Sequence, residues 1–494
     1  MTETLPYQRW TLWLIIALLA IRVGALIISP LGLHGDEAQY WAWSKDLDWG
    51  YFTKPPLIAW VIWMTTSIFG DAEWAVRLSS PILHSITAFV IFRTAQFVYN
   101  ARTGFWSAAV YLLMPALWLS SGIVSTDVPL LLCWSIALNA WLHIRVSPTW
   151  PRIIQLGLAI GIGLLAKYAM LFFLPALALT CLYDEKTRQG LISFKGLIAA
   201  FIAVFIFLPN ILWNVAHNFA TVSHTADNAN LKTGNIPFHP LELIQFWAEQ
   251  FVVFGPITFG LLVLALVFSL RRKLDQPSVW IAGFSLSPLI IISIQALLSR
   301  ANANWAVTAY VGGSILTAHL GLKYAALFKK WLSTGVVVQS IICFIAAIII
   351  LSPSLADSFG LSNSVKRLRK WPETVKIIED VFARGHKGQA YQTLALDKRI
   401  IFYDLTYYGL AEKIPMKMWL YGSKPTHHAE LTQPLLAQKG PILILNHNSN
   451  YSDALKADFK RLEQLPDINV DLGGGKRRHL KVWAGYDYIP TKER

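Results

Sequence analysis

Apolar runs of 17 or more residues recur through the first 350 positions of this 494-residue chain, and no other feature narrows its fold as far. A helix needs about 20 mostly apolar residues to cross the hydrocarbon core of a bilayer, so a chain with many such runs is a polytopic helical membrane protein. The charge content agrees. Only 15% of the residues are charged, where soluble domains carry about a quarter. An ordinary soluble enzyme, a disordered chain and a fibrous protein are all excluded. The formal net charge of +14 would suggest a nucleic-acid partner for a soluble protein. In a membrane protein it reflects cationic cytoplasmic loops and anionic lipid, so no nucleic-acid partner is expected. Cys133, Cys181 and Cys343 all lie inside apolar runs, which predicts neither a disulfide framework nor a thiolate metal site.

The runs predict eleven spans, near residues 10–28, 74–99, 103–119, 126–144, 151–166, 168–183, 195–214, 242–270, 277–298, 303–320 and 331–352. The first lacks a small-residue cleavage site and reads as an uncleaved span. After Ser352 charged residues become frequent and short β-rich runs such as Pro441-Ile442-Leu443-Ile444-Leu445 appear. The expected division is therefore a transmembrane domain, 1–354, followed by a soluble α/β domain, 355–494. With the N-terminus inside, most cations of the first part fall on inner loops and span ends, Arg271-Arg272-Lys273 among them. The positive-inside rule then places the C-terminal domain outside. Residues 151–183 decide this orientation. One long tilted helix there would invert everything after it, whereas two short helices meeting near Lys167 keep the cationic turns inside.

The outer side retains few cations: Arg22, Lys45, Lys54, Arg77, Lys167, Lys232 and Arg300. The insertion rule does not account for them, so each calls for a partner, either a headgroup, water, an internal carboxylate or a bound anion. The first outer loop, 30–73, is long for a connection between adjacent spans. Asp36 and Glu37 follow a glycine and open a helical stretch whose Tyr40, Trp41 and Trp43 suit the headgroup layer. Residues 56–69 form a second apolar helix, too short to span and suited to the interface. Between them runs Tyr51-Phe52-Thr53-Lys54-Pro55-Pro56, where the prolines set the chain direction just after Lys54. A carboxylate at a membrane surface can act as general base for a hydroxyl, and a lysine can hold a phosphate. An acidic residue in the first turn of a helix is also explained by the helix dipole alone.

Three further outer elements could join this loop. Ser125-Thr126-Asp127 either caps a helix before Pro129 or contributes to a site. Lys167, in Ala166-Lys167-Tyr168, either snorkels to the interface or faces a cavity. Arg300-Ala301-Asn302-Ala303-Asn304-Trp305 is either a loop cap or an anion clamp. His217, His224 and His239 have no metal-ligand spacing and read as loop histidines, and His34 with Asp36, two ligands in an i,i+2 pair, makes a weak case for a divalent ion.

Taken in order, Asp36-Glu37, Phe52-Thr53-Lys54-Pro55-Pro56-Leu57, Ser125-Thr126-Asp127-Val128-Pro129, Gly163-Leu164-Leu165-Ala166-Lys167-Tyr168 and Arg300-Ala301-Asn302-Ala303-Asn304-Trp305 resemble the bacterial branch of the GT-C membrane glycosyltransferases. That branch is related to the protein O-mannosyltransferases and the lipid A aminoarabinose transferase. The likeness covers about residues 10–320. It implies an α-helical polytopic fold of GT-C type with interfacial helices in the first periplasmic loop and a periplasmic C-terminal α/β domain. It also implies residence in the bacterial inner membrane, with a cytoplasmic N-terminus. The implied activity is transfer of one sugar, with inversion, from a polyprenyl-phosphate donor to a lipid, lipopolysaccharide or protein acceptor at the periplasmic face. Asp36 would be the catalytic or acceptor-orienting carboxylate and Lys54 the donor-phosphate lysine. Glu37, Tyr51, Asp127, Lys167, Tyr168, Arg300 and Asn304 complete the expected substrate-binding set. No cofactor is expected, and the chemistry is expected to be metal-independent, fixed cations serving the leaving phosphate. The sequence departs from the aminoarabinose pattern just before the lysine, with Thr53 in place of an acidic residue, which speaks against aminoarabinose as the sugar. The competing class is a transporter or flippase of a lipid-linked or anionic substrate. Such proteins place their sites near the midplane, often between repeated halves, whereas here no internal repeat is seen and the polar residues sit at outer span ends. A scaffold anchored by its spans would not need eleven of them.

Overall fold

The computed structural model describes residues 4–229, 238–422, 424–447 and 452–490. Lys232 and part of the outer loop 215–241 lie outside them. The chain forms two compact units, one of residues 1–27, 48–50 and 54–347, the other of residues 28–47, 51–53 and 348–494.

The first unit is helical. Among the described residues, six helices are long and apolar enough to cross a membrane, or nine if each sharply bent pair is one span. The two further segments counted from the sequence are Trp150–Ala166, 17 residues, and Ala309–Lys323, 15 residues, both short of the roughly 20 that a perpendicular span uses. The bends have local causes. The expected span 242–270 is a pair, Pro240–Phe254 and Pro256–Leu270, inclined by 115°. Gly255 between them has φ 101°, and Pro256 then starts the second helix, a combination that ends one helix and opens another. The expected span 103–119 breaks before Pro115, with a 64° bend between Ala101–Leu112 and Pro115–Ser121. A break exposes carbonyls, and two buried side chains cover them. Arg22 Nη2 donates to Leu112 O at 2.5 Å, and Cys343 Sγ donates to Leu113 O at 3.3 Å. Arg22 thus has a backbone carbonyl as its hydrogen-bonded partner. Trp150–Ala166 lies against Phe194–Ala216 through glycines: a Cβ on Gly157 would stand 2.6 Å from Ala199 O, and one on Gly161 2.9 Å from Ala203 O. Small residues permit such backbone approach between membrane helices.

The second unit holds a five-stranded mixed sheet in the order β2-β1-β3-β5-β4. Its strands are β1 (Thr393–Leu396), β2 (Met416–Met418), β3 (Ile442–Asn446), β4 (Phe459–Gly473) and β5 (Lys476–Tyr488). β1 runs parallel to β2 and β3, while β3–β5 and β5–β4 are antiparallel. The run Ile442-Leu443-Ile444-Leu445 is buried along its whole length, as a continuous apolar strand should be when both faces are covered. Its core includes Trp419, Leu455, Phe459 and Trp483. The helix Arg399–Tyr407 follows β1. The helix Gly35–Ser44 belongs to this unit and packs on Arg399–Tyr407. Gly35 makes the approach possible, since a Cβ there would stand 2.1 Å from Ile400 Cγ2.

Candidate functional site

In the first unit, the candidate residues converge on Asp127. It begins the helix Asp127–Val146, and its predecessor Thr126 makes no side-chain cap bond. Capping therefore does not use the Ser125-Thr126-Asp127 run. Instead Asp127 Oδ1 accepts from Lys167 Nζ at 2.6 Å and Oδ2 accepts from Asn304 Nδ2 at 2.8 Å. Both charged side chains are mostly buried, Asp127 at 12% and Lys167 at 21% exposure, so the pair is screened much less than a surface pair. The backbone helps to bring them together. Helix Trp150–Ala166 ends at Lys167, whose extended φ −163°, ψ 137° separates it from the 3-10 turn Tyr168–Phe172 and helix Phe173–Tyr183. The segment 151–183 is thus two helices parted at Lys167. Asn304 comes from a short 3-10 turn, Ala303–Ala306, ahead of helix Ala309–Lys323.

Tyr168 points elsewhere. Its hydroxyl donates to Asn210 Oδ1 at 2.9 Å and accepts from Asn214 Nδ2 at 3.2 Å. The same helix, Phe194–Ala216, anchors residues 48–49: Asn210 Nδ2 donates to Trp49 O at 2.7 Å and Trp213 Nε1 donates to Asp48 Oδ2 at 2.5 Å. Arg300 is exposed, with its carbonyl accepting from Gln295 Nε2, and its guanidinium does not join the Asp127 cluster. Lys54 is half-buried and precedes Pro55 and helix Leu57–Phe69. His217 stacks on Trp213 at 4.0 Å with Nδ1 on Trp213 O.

In the second unit, the helix Gly35–Ser44 begins with a reciprocal cap. Glu37 Oε2 accepts from His34 N at 2.9 Å, and His34 Nδ1 accepts from Asp36 N at 3.3 Å. Glu37 is accordingly buried, whereas the Asp36 side chain is 43% exposed. Asp36 Oδ1 accepts from Arg399 Nη2 at 3.0 Å. Arg399 Nη1 also donates to Gln39 Oε1, and Gln39 Nε2 donates to Thr53 Oγ1 at 3.3 Å. Tyr51 is buried and stacked on Trp43 at 4.4 Å, its hydroxyl donating to the Trp43 and Asp46 carbonyls. Lys45 lies 5.1 Å from the Trp41 ring. Sequence reasoning missed Arg399 and Gln39. Gln39 sits one turn after Asp36 and was open to notice, but no local pattern marks Arg399.

These features define the class first. The helical membrane fold is of GT-C type: the crystal structure of ArnT from Cupriavidus metallidurans in the apo state is similar over 96% of this chain and 97% of its own, with TM-score 0.65 at 12% identity. The same protein bound to undecaprenyl phosphate gives TM-score 0.64 at 14% identity, covering 98% of this chain and 99% of the other. The resemblance read from the motifs is borne out. The profile of the family described as dolichyl-phosphate-mannose-protein mannosyltransferase matches residues 53–213, a stretch that contains Lys54, Asp127, Lys167 and Tyr168.

Particular relatives follow. The chain is 36% identical over 330 residues to the lipid A galacturonosyltransferase RgtD of Rhizobium johnstonii, covering 65% of this chain and 64% of the relative. It is 28% identical over 237 residues to an undecaprenyl phosphate-alpha-4-amino-4-deoxy-L-arabinose arabinosyl transferase of Pseudomonas fluorescens, covering 44% of this chain and 40% of that one. The chain thus spans less than two thirds of the length of these curated relatives.

Proposed function

We propose that the chain is an inner-membrane glycosyltransferase that moves one sugar from a polyprenyl-phosphate carrier to lipid A or a related lipopolysaccharide acceptor at the periplasmic face. The observation that carries this reading is the similarity over 330 residues to an enzyme named for galacturonosyl transfer to lipid A. The preferred sugar is a hexuronate. Thr53, where the aminoarabinose pattern has an acidic residue, removes a counter-charge that a cationic amino sugar would use. The eleven-segment topology, with the N-terminus cytoplasmic and the sheet-bearing C-terminal part periplasmic, belongs to the same proposal.

The chemistry assigns a role to each charge. The acceptor hydroxyl oxygen forms a bond to the anomeric carbon as the bond from that carbon to the phosphate oxygen breaks. The electron pair leaves with the phosphate, whose growing negative charge is stabilised by Lys54, a fixed cation needing no reorganisation at that moment. The hydroxyl proton passes to Asp36, and attack opposite the leaving group inverts the anomeric centre. Asp127 holds the Lys167 ammonium at the break between its two helices, keeping a second cation at a defined place for an anionic substrate.

The test uses membranes supplied with a polyprenyl-phosphate hexuronate and lipid A. Asp36→Asn and Lys54→Ala are each expected to reduce transfer to background with insertion and folding intact. Full transfer by both variants would overturn the reading. Mass spectrometry of lipid A after deletion of the gene checks the acceptor: loss of one hexuronate is expected.

A further inference from the structure

Resting on that reading of Asp36, we infer that Arg399, from the sheet-bearing part of the chain, is the positioning residue of the Asp36 carboxylate. The geometry points to this in three ways. First, the guanidinium fork engages two side chains of one helix at once, Asp36 through Nη2 and Gln39 through Nη1. A planar fork with two fixed partners defines orientation as well as charge. Second, the far partner is rigid. Gln39 is fully buried and hands its amide on to Thr53, itself 4% exposed and the residue immediately before Lys54. Third, the close contact of Gly35 with Ile400 brings the first turn of helix Gly35–Ser44 against the first turn of helix Arg399–Tyr407, so the arginine reaches Asp36 from a packed backbone.

A merely stabilising ion pair explains this arrangement poorly. The Asp36 and Arg399 side chains are 43% and 27% exposed, and exposed pairs of this kind contribute only about 0–1 kcal/mol. The bond does something more specific. It occupies Oδ1 and leaves Oδ2 without a hydrogen bond among the described residues. His34 Nδ1, 3.7 Å from Oδ2, already accepts the Asp36 N–H. Arg399 therefore holds the carboxylate with Oδ2 presented, and Oδ2 is the atom that takes the acceptor's proton while Oδ1 stays bonded to the guanidinium. Arg399 itself gives up no proton and touches no reacting atom.

Steady-state transfer by the full chain in detergent, with a polyprenyl-phosphate hexuronate donor and lipid A, tests the inference. Arg399→Ala is expected to lower kcat by about 100-fold, the scale of loss when a reacting group is misplaced by an ångström, with donor KM within about twofold of the parent. Arg399→Lys restores part of the loss. A rise in donor KM with kcat unchanged would make Arg399 a substrate-binding residue and overturn the inference, as would unchanged kcat and KM. If Arg399→Ala does not fold, the same kcat-against-KM split is read from Arg399→Lys, where an unchanged kcat overturns it. Full activity of Asp36→Asn would instead defeat the underlying reading of Asp36, so the two failures are distinct.

Discussion

Asp404 lies on the same helix as Arg399, is 1% exposed, and has an Oδ1 with no hydrogen-bond partner among the described residues. Burial raises its proton affinity well above the ordinary carboxylate range. The Arg478 guanidinium opposes that shift, and the charges of Asp36 and Glu37 add to it. A carboxyl whose folded-state pKa is raised contributes stability below its unfolded pKa, about 4, and loses it as pH rises through the folded value. Asp404→Asn, which mimics the protonated form, is therefore expected to raise the thermal midpoint of the solubilised protein more at alkaline pH than near pH 4, where the unfolded-state carboxyl is half protonated and the folded one is neutral. An equal gain at both would refute the account. Legibility at this scale was uneven. Asp36 and Lys54 stand out because a carboxylate after glycine and a lysine before two prolines are local patterns. Arg399 is 363 residues from the aspartate it holds, and an arginine at a helix start after a strand carries no mark of its partner. The Glu37 side chain illustrates the opposite case: its His34 bond is local, and the spacing from 34 to 37 is that of a capping box.

At the scale of elements, apolar periodicity predicted where helices lie, whereas the expected spans 103–119 and 242–270 ran unbroken across two sharp bends. The break at Lys167 has no glycine or proline to announce it, and it coincides with the Lys167–Asp127 ion pair. The break at Gly255-Pro256 carries both signals, yet a hydropathy window runs straight across it. Helix Trp150–Ala166 depends on Gly157 for its seat on Phe194–Ala216. Because a Cβ at 157 would stand 2.6 Å from the Ala199 carbonyl and 2.8 Å from Ile202 Cβ, Gly157→Ala must push the helices apart. Overpacking of this kind costs about 1–3 kcal/mol, so a lowered thermal midpoint in detergent is expected. Gly260→Ala is the control, since nothing lies within 4 Å of a Cβ there. Equal midpoints for the two variants would contradict the packing argument.

For the whole molecule, the orientation of the cationic turns makes a direct prediction. An accessibility tag after residue 360 is expected to be labelled from the periplasm, and one at residue 272, within Arg271-Arg272-Lys273, is expected to be protected. The reverse pattern would overturn the topology. The two compact units also divide the loop 30–73 in a way its sequence does not suggest. Residues 28–47 and 51–53 fall with 348–494, while 48–50 and 54 onward fall with the helices. One loop therefore contributes the Asp36 side chain to one unit and Lys54 to the other.

The sequence by itself determined the membrane class, the positions of the helical segments, the β character of residues such as 441–445, and the identity of the chemically suggestive residues. All of these follow from apolar periodicity or from groups a few residues apart. Only the tertiary structure decided that Asp127 pairs with Lys167 and Asn304 rather than capping its helix, that Arg22 serves an opened carbonyl, and that Arg399 holds Asp36. Each of these is a bond between side chains and partners brought together by packing. Local composition says what a charge is, but long-range packing selects its partner.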